Sequence, residues 1–326
     1  MKCFKNILVA VDLSDDDRFV ADDVSRATAE AIEGGLWLAK LNSADLTFFS
    51  ALEVSARTQH LMKEDQAVEP TVKDQAQDAL SELIDRARQQ GINARSRVGF
   101  GKSWVEIIRQ VLRDDHDLVI AGTRQRHGLE HLLLGTTGLK LLRKCPCPVW
   151  VTKPLERDQL SSILVATDFN PASHLALELG ITMAQVYGAE LHLLHVLEFG
   201  RDDHLKLIRI SEKDTIDYRE RARAEAVRRL ELRVAAAKLM QKPHKHLLVG
   251  HADEVILQQI EKHDIELLIM ATLARTGIPG VLVGNTAERL LLKTPRSILA
   301  VKPAGFESPV TLEPEERGRG VRSLGK

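Results

Sequence analysis

The sequence contains two copies of one pattern of strands, loops and helices. Three pairs of positions show this: Asp117-Leu-Val-Ile-Ala-Gly-Thr123 and Glu266-Leu-Leu-Ile-Met-Ala-Thr272, Gly135 and Gly284, and Val149-Trp-Val-Thr-Lys-Pro154 and Ile298-Leu-Ala-Val-Lys-Pro303. Each pair is separated by 149 residues, and one constant separation across several elements indicates a duplication. A chain of 326 residues has room for two domains, each large enough to bury its own core.

Both halves alternate short apolar runs with helical patterns. The predicted strands are 7–11, 46–52, 94–98, 118–121 and 149–152 in the first half, and 163–166, 191–196, 246–249, 267–270 and 298–301 in the second. Continuous apolar strands separated by helices indicate a parallel sheet covered on both faces. We therefore predict two tandem doubly wound, Rossmann-like α/β domains, each with a five-stranded parallel sheet in the order 3-2-1-4-5. The domains cover 1–154 and 161–303, and 304–326 is predicted to be a flexible tail.

Composition excludes several classes of protein. A net charge of −1 gives no attraction to nucleic acid or to an anionic membrane surface. No apolar run approaches the ~20 residues that cross a bilayer. The three cysteines are an odd number without a disulfide framework, which suits a reducing compartment. We therefore expect a cytoplasmic protein with no nucleic-acid or membrane partner.

The segment after the fourth strand of the first half carries the strongest binding signal. It runs from Gly122 to Gly135, where a predicted helix begins. Glycines let a backbone come close to a ligand, and a helix N-terminus presents N–H groups to phosphate oxygens. Thr136 and Thr137 add hydroxyl donors there. The alternative is that the glycines serve tight turns and Thr136 caps the helix, and spacing alone leaves both open.

At this segment the sequence resembles the universal stress protein family, and the resemblance extends over nearly all of residues 1–303. Nucleotide-binding members of that family carry Gly, two residues, Gly, nine residues, Gly, then Ser or Thr. The first half matches at Gly122, Gly135 and Thr136, but Gln125 stands at the second glycine. The runs Ile-Leu-Val-Ala-Val-Asp12 and Cys147-Pro-Val also resemble family signatures.

The resemblance implies a site for ATP or another adenine nucleotide in the first half. Asp12 would contact the adenosine portion, and Ala10 and Ala51 would line its pocket. The implied phosphate-binding residues are Gly122, Gly135, Thr136 and Thr137, with Thr123 and Gly128 in the same loop. An insertion after the first strand brings five aspartates (Asp15, Asp16, Asp17, Asp22 and Asp23) close to these phosphates. They would repel a nucleotide unless a divalent cation such as Mg²⁺ intervenes, although a solvated acidic loop is the interpretation we favour.

The second half departs further from the family pattern. Ala271 and Ala274 replace the first two glycines, and Asn285 replaces the hydroxyl residue. The positions that still match are Asp168, Gly277, Gly284 and Thr286. The sequence from Gly284 resembles the E-type tandem subgroup, so the second half is expected to hold a diverged site that includes Asn285.

Three other motifs could indicate phosphate, thiol or metal chemistry. Gly99-Phe-Gly101-Lys102-Ser103 is similar to the end of a P-loop but lacks the first glycine, and we interpret it as a strand-to-helix turn. Cys145 and Cys147 are interpreted as a structural pair. The histidines on or beside two neighbouring strands of the second half raise the alternative of zinc: His192, His195, His244, His246 and His251. Their spacing matches no recognised ligand motif, so no metal ligands are predicted. No Ser-His-Asp, paired-carboxylate or His-Glu-x-x-His constellation stands out, so no catalytic residues are predicted.

The resemblance implies a stress-response protein that binds an adenine nucleotide in its first half, and we expect it to regulate an unidentified protein partner. The two halves are expected to form an internal pseudo-dimer, with further dimerisation as an open alternative. Other functions are a slow ATP hydrolase, for which no general base is evident, or an interaction module that binds an apolar ligand in the second half.

Overall fold

The computed structural model describes residues 4–13, 24–53, 68–123, 136–153, 160–199, 212–236, 241–272 and 285–312. They form two compact units. The first contains the described residues up to 153 together with 305–312, and the second contains those from 160 to 304. No helix or strand is assigned within 305–312, and the remainder of the predicted tail lies outside the described residues.

The first unit is a five-stranded parallel sheet with helices. Its strands are β1 (Asn6–Ala10), β2 (Asp45–Leu52), β3 (Ala94–Phe100), β4 (Leu118–Gly122) and β5 (Val149–Thr152). Its described helices are α1 (Arg26–Asn42), α2 (Val68–Gln89), α3 (Ser103–Asp114) and α4 (Thr136–Lys144). The strands lie in the order β3-β2-β1-β4-β5, and every pairing is parallel.

The second unit repeats this arrangement. Its strands are β6 (Ser162–Ala166), β7 (Glu190–Leu197), β8 (His244–Val249), β9 (Leu267–Ala271) and β10 (Ser297–Val301). Its described helices are α5 (Pro171–Tyr187), α6 (Glu212–Ala236), α7 (Ala252–Lys262) and α8 (Asn285–Lys293). The order is β8-β7-β6-β9-β10, again with parallel pairings. The predicted fold class and strand order are therefore confirmed in both units.

Helices cover both faces of the first sheet. Ile7, Leu8 and Val9 are fully buried in succession, although neighbouring residues of a strand point to opposite faces. Gly35 of α1 faces the Val9 side chain, so α1 lies on that face. A Cβ on Gly99 would contact both Phe49 and Glu106 of α3, and Phe49 points away from the Val9 face. The second sheet repeats the first of these contacts, because Gly180 of α5 faces the Val165 side chain.

Side-chain caps start the first helix of each unit. The Ser25 hydroxyl accepts from the backbone N–H of Thr28 at 3.2 Å in α1, and the Asn170 side chain accepts from the N–H of Ser173 at 2.8 Å in α5. Both residues have extended backbones, as N-caps do. Gly188 ends α5 with a left-handed backbone, φ 67°. These caps fix where each helix begins beside the carboxyl end of its first strand.

Candidate functional site

A cleft lies at the carboxyl edge of the first sheet, where β1, β2 and β4 end. The first turns of α1, α3 and α4 contribute to its walls. Strand order reverses between β1 and β4, and open parallel α/β sheets bind ligands in the crevice at such a reversal. The position of the cleft therefore follows from the topology of the sheet.

The cleft brings together predicted residues that are far apart in the sequence. Those that line it are Ala10, Asp12, Ala51, Gly122, Thr123, Thr136 and Thr137. Asp12 follows β1, Ala51 lies near the end of β2, and Thr136 is the first residue of α4. Gly128 and Gly135 lie outside the described residues.

Other residues of the cleft were missed in the sequence. Thr28 in the first turn of α1 and Ser103 at the start of α3 contribute hydroxyls, and Phe49 and Ile107 contribute apolar surface. The Thr28 hydroxyl lies 3.0 Å from the capping Ser25 hydroxyl. The sequence could have indicated Thr28 and Ser103 as cleft residues, because each is a hydroxyl residue close to the start of a helix.

Gly122 has a packing role that is independent of any ligand. A Cβ at this position would lie 2.5 Å from the backbone carbon and oxygen of Ala27 and 2.7 Å from the backbone nitrogen of Thr28. The Thr152 hydroxyl also donates to the Ala27 oxygen at 3.1 Å. Because backbone atoms cannot yield as a flexible side chain does, Gly122 lets α1 approach β4 closely.

The Thr123 hydroxyl is a buried polar group at the cleft. The residue is 2% exposed, and its hydroxyl oxygen has no hydrogen-bond partner among the described residues. The equivalent Thr272 of the second unit donates its hydroxyl to the Val301 carbonyl at 3.3 Å. A buried hydroxyl without a partner costs about 1–3 kcal/mol, so the two equivalent threonines differ in their need for a partner.

A glutamate that follows β2 caps the start of α3. Glu53 Oε1 accepts from both the backbone N–H and the hydroxyl of Ser103, each at 2.8 Å. In the second unit, Glu198 accepts from the backbone N–H of Ala252 at 2.8 Å, at the start of α7. The Gly99–Ser103 segment is thus a capped strand-to-helix turn, as interpreted from the sequence. Its carboxylate takes the helix N–H that a P-loop would offer to phosphate.

Side chains at the equivalent edge of the second unit form hydrogen bonds with one another and with the local backbone. Asp168, which matches Asp12, accepts from the backbone N–H of Asn170 at 3.1 Å and from its side-chain amide at 2.5 Å. The Thr167 hydroxyl donates to the Ser173 hydroxyl at 3.0 Å. Asn285 and Thr286 begin α8, whereas Gly277 and Gly284 lie outside the described residues.

His195 lies at this second edge and is tied to the backbone there. Its Nδ1 is 2.7 Å from the Thr167 carbonyl, and its ring lies against Phe169 with 4.4 Å between centroids. Burial lowers the pKa of His195 below its ordinary value, so the ring is neutral at pH 7. The side chain is therefore a hydrogen-bonded part of this edge.

Cys145 and Cys147 lie in the turn between α4 and β5. Both are buried, and their sulfur atoms are 3.5 Å apart, which is a contact rather than a disulfide. The contact with Cys145 and burial raise the pKa of the Cys147 thiol well above its ordinary value. Since the thiolate is the reactive form, this geometry matches the interpretation of a structural pair.

Comparisons with known proteins agree with the duplicated fold. The model of the Universal stress protein family matches residues 4–153 and again 160–302. "Universal stress protein E" of Photorhabdus laumondii is 24% identical over 324 residues, which cover 95% of this chain and 98% of that protein. "Universal stress protein E" of Escherichia coli K12 is 28% identical over 228 residues, 67% of this chain and 71% of that protein.

A solved structure shows the same fold. The putative universal stress protein of Pseudomonas aeruginosa superposes with a TM-score of 0.68 at 22% identity, over 93% of this chain and 94% of that one. Among the described residues of the present chain, no helix is both long and apolar enough to span a membrane.

Proposed function

The chain belongs to the universal stress protein family, and from that premise we propose that it is a stress-response protein whose first domain binds an adenine nucleotide. The proposal is carried by the cleft at the carboxyl edge of the first sheet. This cleft is lined by Gly122 and Thr136, two of the positions at which the sequence follows the nucleotide-binding pattern, and it lies at the reversal of strand order.

Thr123 supports a polar ligand in this cleft. Its hydroxyl is buried, faces the cleft lining and has no partner among the described residues. A ligand oxygen or nitrogen would supply the missing hydrogen bond and recover part of the desolvation cost. An apolar ligand would leave that cost in place.

The start of α4 is suited to phosphate. Thr136 and Thr137 are its first two residues, and both line the cleft. The first N–H groups of a helix have no acceptor within the helix, and the dipole favours negative charge there. These N–H groups and the two hydroxyls would hold phosphate oxygens, with Mg²⁺ as the accompanying cation.

The opposite part of the cleft is suited to a nucleoside. Ala10 and Ala51 are small, and Phe49 and Ile107 add apolar surface, so a flat ring can approach the strands. The Asp12 carboxylate would accept hydrogen bonds from ribose hydroxyls or from the adenine amino group. Gly122 contributes by holding α1 close to β4, which shapes this wall of the cleft.

For the second domain we propose a diverged site. The Thr272 hydroxyl, equivalent to that of Thr123, is already hydrogen-bonded to Val301, and Asp168 is hydrogen-bonded to Asn170. A nucleotide would have to compete with these bonds. The protein would thus act as a ligand-dependent regulator, in which occupancy of the first domain alters the surface offered to a protein partner.

Equilibrium dialysis of the full chain against labelled ATP, with and without Mg²⁺, tests the proposal. We expect saturable binding below millimolar concentration, displaced by unlabelled ATP. Release of inorganic phosphate from the same samples measures hydrolysis separately. Absence of saturable binding below millimolar concentration would rule out the nucleotide function.

A further inference from the structure

Histidines from three elements of the second domain meet in one cluster. His192 lies near the beginning of β7, His246 lies on the neighbouring strand β8, and His263 directly follows α7. Their ring centroids are 5.3 Å apart for His192 and His246, 4.7 Å for His192 and His263, and 4.9 Å for His246 and His263. We call these three residues the histidine cluster.

The ligand atoms of the histidine cluster converge. One ring nitrogen from each residue lies within 4.8 Å of the other two, and His192 Nδ1 is 3.0 Å from His246 Nε2. Tetrahedral zinc with Zn–N bonds of ~2.0–2.1 Å places its ligand nitrogens about 3.4 Å apart. The cluster therefore needs side-chain movements of about 1.5 Å or less to bind zinc, which is within the range of rotamer adjustment.

The surroundings of the cluster also suit a metal. Burial is the largest cause that lowers the pKa of each of the three histidines, and the pKa of His246 is about 4. A neutral imidazole has the lone pair that a metal requires. The Nε2 atoms of His192 and His263 are buried with no hydrogen-bond partner among the described residues.

Glu190 and His244 extend the site. Their ligand atoms and one of His192 lie within 4.8 Å of one another, and Glu190 Oε2 is 3.7 Å from His192 Nε2. A carboxylate or a further imidazole at this distance can complete the coordination of a metal that His192 binds. Three imidazoles leave one position of a tetrahedral ion for another residue or for water.

We propose that the histidine cluster binds a transition-metal cation of the zinc class, with His192, His246 and His263 as ligands and Glu190 or His244 in support. Imidazole is a good ligand for Zn²⁺, and Cu²⁺ and Ni²⁺ would compete with Zn²⁺ for the same site. Mg²⁺ and Ca²⁺ prefer oxygen ligands. The cluster lies in the second domain, near the beginnings of β7 and β8, whereas the proposed nucleotide cleft lies in the first domain at the ends of strands.

This assignment corrects the sequence-based selection of histidines. His195 bonds to the Thr167 carbonyl, and His251 stands at the start of α7, so neither joins the histidine cluster. His263 was missed because it comes from a helix end, and only the packing of α7 brings it to the strands.

Zinc titration of the full, tag-free chain after chelator treatment tests the site. Zn²⁺ is titrated against a chromophoric chelator, and Co²⁺ replaces it to give the visible absorption of tetrahedral coordination. We expect one equivalent to bind at micromolar concentration or tighter. His263→Gln and His246→Gln should each weaken binding by at least about 10- to 100-fold, and His251→Gln is the matched control that should bind as the original chain does.

Two further measurements distinguish loss of the zinc site from misfolding and from loss of the nucleotide site. Circular dichroism checks that each variant is folded, and the same zinc concentration should raise the melting temperature of the original chain by more than that of His263→Gln. ATP binding of His263→Gln should be unchanged, so failure of the zinc site is distinguishable from failure of the nucleotide site. The proposal is overturned if the original chain takes up no zinc at micromolar concentration, or if both cluster variants bind it as tightly as His251→Gln.

Discussion

Gly122 has a packing role in addition to the ligand-binding role that the sequence pattern predicts. The sequence pattern indicates a backbone that comes close to phosphate, and the structure shows a backbone that comes close to Ala27. These two roles are compatible, because the approach of α1 shapes a wall of the cleft. The contact with Ala27 was not predictable from spacing, since the two residues are distant in the sequence and meet only when α1 packs on the sheet.

His116 should make the free energy of unfolding of the first domain depend on pH. The residue is 4% exposed, and burial lowers its pKa from 6.5 to about 4. The unfolded chain therefore takes up a proton below pH 6.5 while the folded chain does not. The free energy of unfolding should fall by about 1.4 kcal/mol per pH unit from pH 6.5 towards pH 4.

Urea unfolding followed by tryptophan fluorescence measures this effect. Trp37, Trp104 and Trp150 are all the tryptophans of the chain, and all lie in the first domain. His116→Asn should flatten the dependence between pH 6.5 and 5, whereas His251→Gln in the second domain should leave it unchanged. Equal slopes in His116→Asn and the original chain would contradict the assignment.

At the scale of elements, a glutamate directly after the second strand of each domain caps a helix. Glu53 bonds to Ser103 at the start of α3, and Glu198 bonds to Ala252 at the start of α7. Glu53→Ala should lower the free energy of unfolding of the first domain by about 1 kcal/mol, because the α3 N–H and the Ser103 hydroxyl lose an acceptor.

Glu198→Ala is the matched control for this cap. It removes the equivalent bond from the domain without tryptophans, so the tryptophan unfolding midpoint should stay at the original value. A fall of that midpoint in Glu198→Ala as large as in Glu53→Ala would show that the effect is not specific to α3.

The elements themselves were largely predictable. The strand 149–152 was predicted with the bounds that the structure shows. Asn170-Pro171 and Gly188, which are start and stop signals of a helix, stand at the two ends of α5. Buried parallel strands are continuous apolar runs, and caps are local, so both leave a mark in the sequence. The glutamate caps left no such mark, because Glu53 and Ser103 are separated by a whole helix and strand.

At the scale of the whole molecule, one fold occurs twice with different sites. The loss of glycines in the second half predicts that the two sites differ, and the structure adds a physical contrast between Thr123 and Thr272 among the described residues. That contrast depends on where the Val301 carbonyl lies relative to a hydroxyl, which no sequence pattern records. The convergence of His263 with two strands was hidden for the same reason.

Isothermal titration of ATP into the full chain and two matched variants tests the central claim most directly. Thr123→Val removes the hydroxyl that has no partner among the described residues of the first domain. Thr272→Val removes the bonded hydroxyl of the second domain, where the Thr272 N–H still donates to Val301 at 2.9 Å. We predict one ATP per chain, binding about 5- to 10-fold more weakly to Thr123→Val and unchanged in Thr272→Val. Weakening in Thr272→Val with no change in Thr123→Val, or two equal sites per chain, would contradict the assignment of the nucleotide to the first domain.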